Sequence, residues 1–91
     1  MDKTIGICKD LTWRDLNGEL VVLNSKNGDY HMMNEVGRII WLAMADKKTI
    51  SEIQTLITEE FDVDSKTALK DIQIFIENMS HRGLLNSDGE V

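Results

Sequence analysis

Asn17-Gly18-Glu19-Leu20-Val21-Val22-Leu23-Asn24-Ser25-Lys26-Asn27-Gly28-Asp29-Tyr30-His31-Met32-Met33-Asn34 decides the fold. Its first two residues are a strong hairpin signal, because both central positions of the favoured two-residue turn want positive φ. Glu19 to Asn24 is the best strand in the chain. Leu20, Val21, Val22 and Leu23 are apolar on both faces, which predicts a central strand with both sides covered. Ser25-Lys26-Asn27-Gly28 is a second turn, and Asp29 to Met33 a third strand with Tyr30 and Met32 on one face and His31 and Met33 on the other.

Working back from the hairpin, Leu11-Thr12-Trp13-Arg14-Asp15-Leu16 is its first strand, so the three strands form an antiparallel meander. Working forward, the period changes at Asn34, a helix N-cap. Val36, Ile39, Ile40 and Ala43 recur at helical spacing, with Trp41 and Leu42 widening the stripe, and the helix ends near Ala45. Thr49-Ile50-Ser51-Glu52 matches a capping box and opens a second helix whose apolar side is Ile53, Leu56, Ile57 and Phe61. Asp64 caps a third helix running from about Ser65 to Arg82. Ala68, Leu69, Ile72, Phe75, Ile76 and Met79 form its core stripe, and Gly83 stops it. Leu84 and Leu85 pack back. The whole is a single domain over 1–91, ordered from about residue 10 to 86 with a frayed tail after it. The fold class is α+β: a winged-helix-like, three-stranded antiparallel β-meander followed by three α-helices.

Composition narrows the function. A chain of 91 residues holds one modest core and encloses no deep cavity, so its function belongs on the surface or in a shallow groove. The net charge of −6 argues against nucleic acid, which is bound largely through Lys and Arg, and against a polybasic membrane contact. With one cysteine, Cys8, there is no internal disulfide, and no apolar run approaches a membrane span, so a cytoplasmic location is expected.

The residues offer little chemistry. Cys8 lies in an expected mobile segment with no base placed beside it, so it is read as an incidental thiol rather than a nucleophile. One Cys and two distant His make no zinc site, and neither metal nor cofactor is implied. His81 suits the negative end of the third helix. Glu59, Glu60, Asp62 and Asp64 cluster at a solvated turn rather than as a buried acid–base pair. Met44 and Met79 fill helix cores. Met32 and Met33 fill the core or floor an adaptable groove. Ile74 lies about 160° from the centre of the third helix's core stripe, at 100° per residue, either a stray apolar residue or a partner contact.

Taken in order, Trp13-Arg14, Gly18-Glu19-Leu20-Val21-Val22-Leu23-Asn24, Gly28-Asp29-Tyr30-His31-Met32-Met33-Asn34-Glu35-Val36-Gly37-Arg38-Ile39-Ile40-Trp41, Thr49-Ile50-Ser51-Glu52-Ile53, Phe61-Asp62-Val63-Asp64 and Arg82-Gly83-Leu84-Leu85 resemble the PqqD family, the precursor-peptide recognition elements of ribosomally made, modified peptides. The likeness runs from about Leu11 to Leu85. Within that family the Gly-Asp-Tyr start of the third strand and the Asn-Glu-Val-Gly-Arg-Ile-Ile-Trp helix resemble the small discrete proteins of lasso-peptide clusters. The resemblance implies a non-catalytic adaptor that takes the leader of a precursor peptide as an added strand in a groove between the third strand and the third helix. It implies Asp29, Tyr30, His31, Met32 and Met33 as the pairing strand. The expected helix wall carries Leu69, Gln73 and Ile76, with Lys70 and Glu77. The implied partners are the leader peptide and a leader peptidase or cyclase, or in other systems an enzyme of the radical SAM type, the chain itself being a monomer or weak homodimer.

Two rival readings stand beside this one. A winged-helix DNA-binding protein would read the duplex with its third helix, yet that helix sets Lys66, Lys70 and Arg82 against Asp64, Asp71 and Glu77 and is neutral. A small structural or dimerisation subunit would self-associate and have no peptide affinity.

Overall fold

The computed structural model describes residues 5–86. Its elements in chain order are β1 (Gly6–Ile7), β2 (Leu11–Leu16), β3 (Glu19–Asn24), β4 (Tyr30–Met33), α1 (Glu35–Ala45), α2 (Ile50–Phe61), α3 (Ser65–His81) and β5 (Leu85–Asn86). β2, β3 and β4 make the antiparallel meander in that order, and three helices follow. The α+β layout thus has the expected elements within two residues of the expected boundaries. The tail after residue 86 lies outside the described residues.

Local chemistry accounts for each boundary. Asn17 and Gly18 take φ of 51° and 86°, the two positive values the tight hairpin requires. Asn34 caps α1 by accepting from the Gly37 N–H at 2.9 Å. At α2 the Thr49 N–H donates to Glu52 Oε1 at 2.8 Å while the Glu52 N–H donates to Thr49 Oγ1 at 3.2 Å, a closed capping box. Asp64 accepts from the Thr67 N–H at 2.8 Å, and the Thr67 side chain first, with that N–H second, holds its carboxyl below the usual carboxylate range. Past α3, Gly83 at φ 76° reverses the chain, and the Leu84 N–H returns to the Met79 carbonyl at 3.0 Å. That reversal delivers Leu84 and Leu85 into the core.

The core lies between one face of the meander and the helices. Leu20 and Val22 from β3 meet Ile40, Trp41 and Met44 from α1, Ile53 and Ile57 from α2, and Ala68, Ile72 and Met79 from α3. Each large side chain buried here contributes about 1.5–3 kcal/mol by leaving water. Trp13 of β2 meets Trp41 edge-on, with ring centroids 5.5 Å apart and planes at 80°. At Gly37 an added Cβ would stand 3.0 Å from Phe75 Cε1 and 3.2 Å from Met33 Cβ, so this glycine lets α1, α3 and β4 approach closely.

Two sequence expectations are corrected. β3 is central but covered on one side only: Leu20 and Val22 are fully buried, whereas Val21 is half-buried and Leu23 is 41% exposed. The apolar run spoke for burial on both faces, yet the helices all pack against one, and β4 adds Tyr30 and Met32 to the bare face. The segment around Cys8 is not loose either. β1 pairs antiparallel with β5, Gly6 opposite Asn86 and Ile7 opposite Leu85, and the Cys8 N–H donates to the Leu84 carbonyl at 3.0 Å. Two-residue strands are too short to show a period, so this sheet was invisible in the sequence. Among the described residues no helix is long and apolar enough to cross a membrane.

Candidate functional site

The free edge of β4 is the first element of the site. β4 pairs with β3 in the register Leu20–Met33, Val21–Met32, Val22–His31 and Leu23–Tyr30. The Asn24 N–H donates to the Asp29 carbonyl at 2.8 Å, which makes that pair a bonded one. Antiparallel ladders alternate bonded and non-bonded pairs, so Val22–His31 and Leu20–Met33 exchange the next bonds. Tyr30 and Met32 are then the non-bonded positions, and their backbone N–H and C=O groups point out from the sheet. The β2–β3 hairpin agrees: its closing pair Leu16–Glu19 is bonded across the two-residue turn, which leaves Leu20, Val22 and Asn24 free to bond β4.

The side chains of β4 divide by face. Tyr30 and Met32 are 68% and 60% exposed on the outer face, beside Leu16, Val21 and Leu23. On the inner face Met33 is buried in the core and half-buried His31 looks toward the end of α3. There the Arg82 guanidinium lies 3.4 Å from His31 Nδ1, which fixes where α3 ends relative to the strand. Asp29 sits in the preceding turn, its N–H donating to Asn27 Oδ1 at 2.9 Å.

One flank of α3 forms the second element. Asp71, Ile74, Phe75 and Asn78 line a concave surface with Asn34, Val36, Gly37 and Ile40 from the start of α1. At 100° per residue, Asp71, Phe75, Asn78 and Arg82 share this side of the helix. Arg82 meets β4 and Phe75 meets Gly37, so α3 runs alongside β4 in the opposite direction. Ile74, the apolar residue off the core stripe, opens into this surface and is 47% exposed.

The five helix residues expected from sequence lie elsewhere on α3. Leu69, Lys70 and Gln73 outline a separate depression with Lys66 and Thr67. Ile76 packs against the core and Glu77 is exposed. The structure does not bring them to β4. A helical wheel gives a helix two flanks and no means of choosing between them; Ile74 was the one sequence signal pointing to the flank beside Gly37. Among the described residues no group of three or more His, Cys, Asp and Glu could hold a metal ion.

A surface of this kind can pair a peptide backbone along β4 and receive its side chains against Ile74 and Phe75. Comparison with known proteins agrees with the fold. A family model described as Coenzyme PQQ synthesis protein D (PqqD) matches residues 19–85. No curated protein sequence matches. The solved structure "TbiB1 in Complex with the TbiA(beta) Leader Peptide" superposes with a TM-score of 0.85 at 26% identity, covering 93% of this chain and 99% of that one. "Lasso peptide synthetase B1 complexed with the leader peptide" superposes at 0.82 over 90% of this chain and 96% of that one; at 17% identity it speaks to fold alone.

Proposed function

The chain belongs to the PqqD family, and we propose that it captures the leader segment of a ribosomally made precursor peptide by strand addition to β4 and delivers it to a processing enzyme. The observation that carries this is the edge itself. Tyr30 and Met32 present unbonded backbone groups next to a wall of Ile74 and Phe75, with no proline to block pairing. Backbone bonds supply affinity in such a mode, and side-chain pockets supply register. The similar structure at 26% identity holds a leader peptide, which supports the same class of ligand here.

Tyr30, Met32 and the backbone of His31 and Met33 supply the strand in this reading, with Asp29 at its start. The wall is the Asp71–Ile74–Phe75–Asn78 flank of α3 rather than Leu69, Lys70, Gln73, Ile76 and Glu77. The domain carries no chemistry of its own; catalysis belongs to the partner, which gains from a raised local concentration of precursor. We take the partner to be a leader peptidase of a lasso-type system. Its docking surface is the outer face of the sheet, where Leu16, Val21, Leu23, Tyr30 and Met32 leave an apolar patch bare. DNA binding has no support in a neutral α3 and a net charge of −6.

An amide NMR titration with the leader half of the precursor encoded beside the gene tests the reading. Shifts should concentrate on residues 29–33 and on residues 71, 74, 75, 78 and 82. Saturating peptide that shifts none of these amides would refute strand addition.

A further inference from the structure

The wall of the groove is polarised along its length, with an acid at one end, a base at the other and an apolar middle. Asp71 stands at one end, Ile74 and Phe75 in the middle, Asn78 beyond them, and Arg82 with His31 at the other end. Among the described residues neither Asp71 nor Arg82 has an ion-pair partner, in contrast to Arg38 and Lys48, which hold Asp15 and Asp46. Eleven residues of helix separate Asp71 from Arg82, about 16 Å at 1.5 Å per residue. An extended peptide covers that distance in about five residues.

From this we infer that the groove reads charge and direction: it selects a peptide with a basic residue facing Asp71 and an acidic residue facing Arg82, the basic one nearer the peptide's N-terminus. The inference rests on strand addition to β4. Both charges reach the peptide from the helix side, so the two peptide residues must share a face. Alternation along a strand then restricts their spacing to about four or six. The order follows from topology. The meander is antiparallel throughout, and a strand added in the same sense runs opposite to β4. β4 itself runs opposite to α3, so the peptide runs along α3 in the same direction, from Asp71 toward Arg82. A reversed peptide would set like charges against each other at both ends, which is how a groove rejects the wrong orientation as well as attracting the right one. His31 adds a second polar contact for the acidic residue.

The test is a selection from a yeast-displayed library of random twelve-residue peptides on the purified chain. Met32→Pro serves as counter-selection, so that the sequences retained depend on the β4 edge. Retained sequences should carry Lys or Arg four or six positions before Asp or Glu. Arg82→Glu should replace the acidic preference with a basic one and weaken a retained peptide about five- to tenfold. Arg82→Lys should keep the preference, and Asp71→Lys should invert the other end independently. Edge-dependent sequences without this pairing, or with the charges in reverse order, would overturn the inference and leave strand addition standing. Failure to retain any sequence over the Met32→Pro background would remove strand addition and the inference together.

Discussion

β2 and β4 are both edges of one sheet, and both carry outward backbone groups without proline, yet they differ in what stands beside them. The bonded positions of β2 are Thr12, Arg14 and Leu16, so Leu11, Trp13 and Asp15 face its open side. Asp15 is held from α1: Arg38 Nε and Nη2 each donate to a carboxylate oxygen at 2.7 Å. There α1 closes onto the strand, with Arg38 on Asp15, Trp41 on Trp13, and Met44 and Ala45 sharing a hollow with Leu11 and Trp13. β4 has only four residues, but α3 lies alongside it with an apolar middle and charged ends. An open edge attracts any extended chain. A wall beside it turns that general affinity into a choice of sequence, and a charged pair on the other edge makes indiscriminate pairing less favourable.

The largest effect expected is at the β4 backbone. Met32→Pro removes an N–H that faces outward and leaves the bonds to β3 in place, a position where an edge strand tolerates proline. Peptide affinity should fall about 10- to 100-fold in calorimetry, the lost backbone bond and its misfit costing about 1–3 kcal/mol, while the circular dichroism spectrum stays native. His31→Pro is the less clean variant, because the His31 N–H belongs to the β3 ladder. Proline at Asp15 on the opposite edge should leave peptide affinity within about twofold; an equal loss at both edges would erase the distinction drawn between them.

Phe75→Ala comes next. Phe75 fills the space Gly37 leaves open and forms the groove wall, so its loss should lower stability by about 2–4 kcal/mol in urea titration and weaken binding in the same variant. Unchanged binding in a folded Phe75→Ala protein would place the peptide away from α3. Ile74→Glu should cost about tenfold in affinity, by burying a carboxylate against the peptide, with stability nearly unchanged because the side chain is half exposed. Leu69→Glu on the opposite flank is its control, and the reverse ranking in a fluorescence-polarisation assay would move the groove to the Leu69 side.

The smallest effect belongs to the β2 edge. Arg38 hydrogen bonds hold the Asp15 carboxyl below its ordinary value in the folded state. A depressed folded pKa means that the contribution is present above the unfolded carboxylate value and disappears as the pH falls through the folded one. Asp15→Asn should therefore lower the urea midpoint slightly at pH 7 and leave it unaltered near pH 2; a difference that grew on acidification would contradict the assignment.

Most of the fold was legible because its signals are local. Asn17-Gly18, the Thr49–Glu52 box, Asn34, Asp64 and Gly83 each name their own structure within four residues. β4, the strand proposed to pair the peptide, was legible for the same reason. The choice of α3 flank was not, since it depends on how Gly37 lets Phe75 settle against α1, a contact between residues 38 apart in sequence. The bare outer face was hidden by an apolar run that looks the same whether one side of β3 is covered or two. β1 and β5 were hidden by brevity and by the length of chain between them.

The aromatic residues are sorted between the two tasks of the molecule. Both tryptophans of the chain, Trp13 and Trp41, meet edge-on at the core, while the single tyrosine, Tyr30, stands exposed on β4, the strand proposed to pair the peptide. The protein thus carries two separate optical channels. Coupled indole bands in the near-ultraviolet report the integrity of the core, and the phenol reports occupancy of the edge, so unfolding and capture can be followed in one cuvette without an added label.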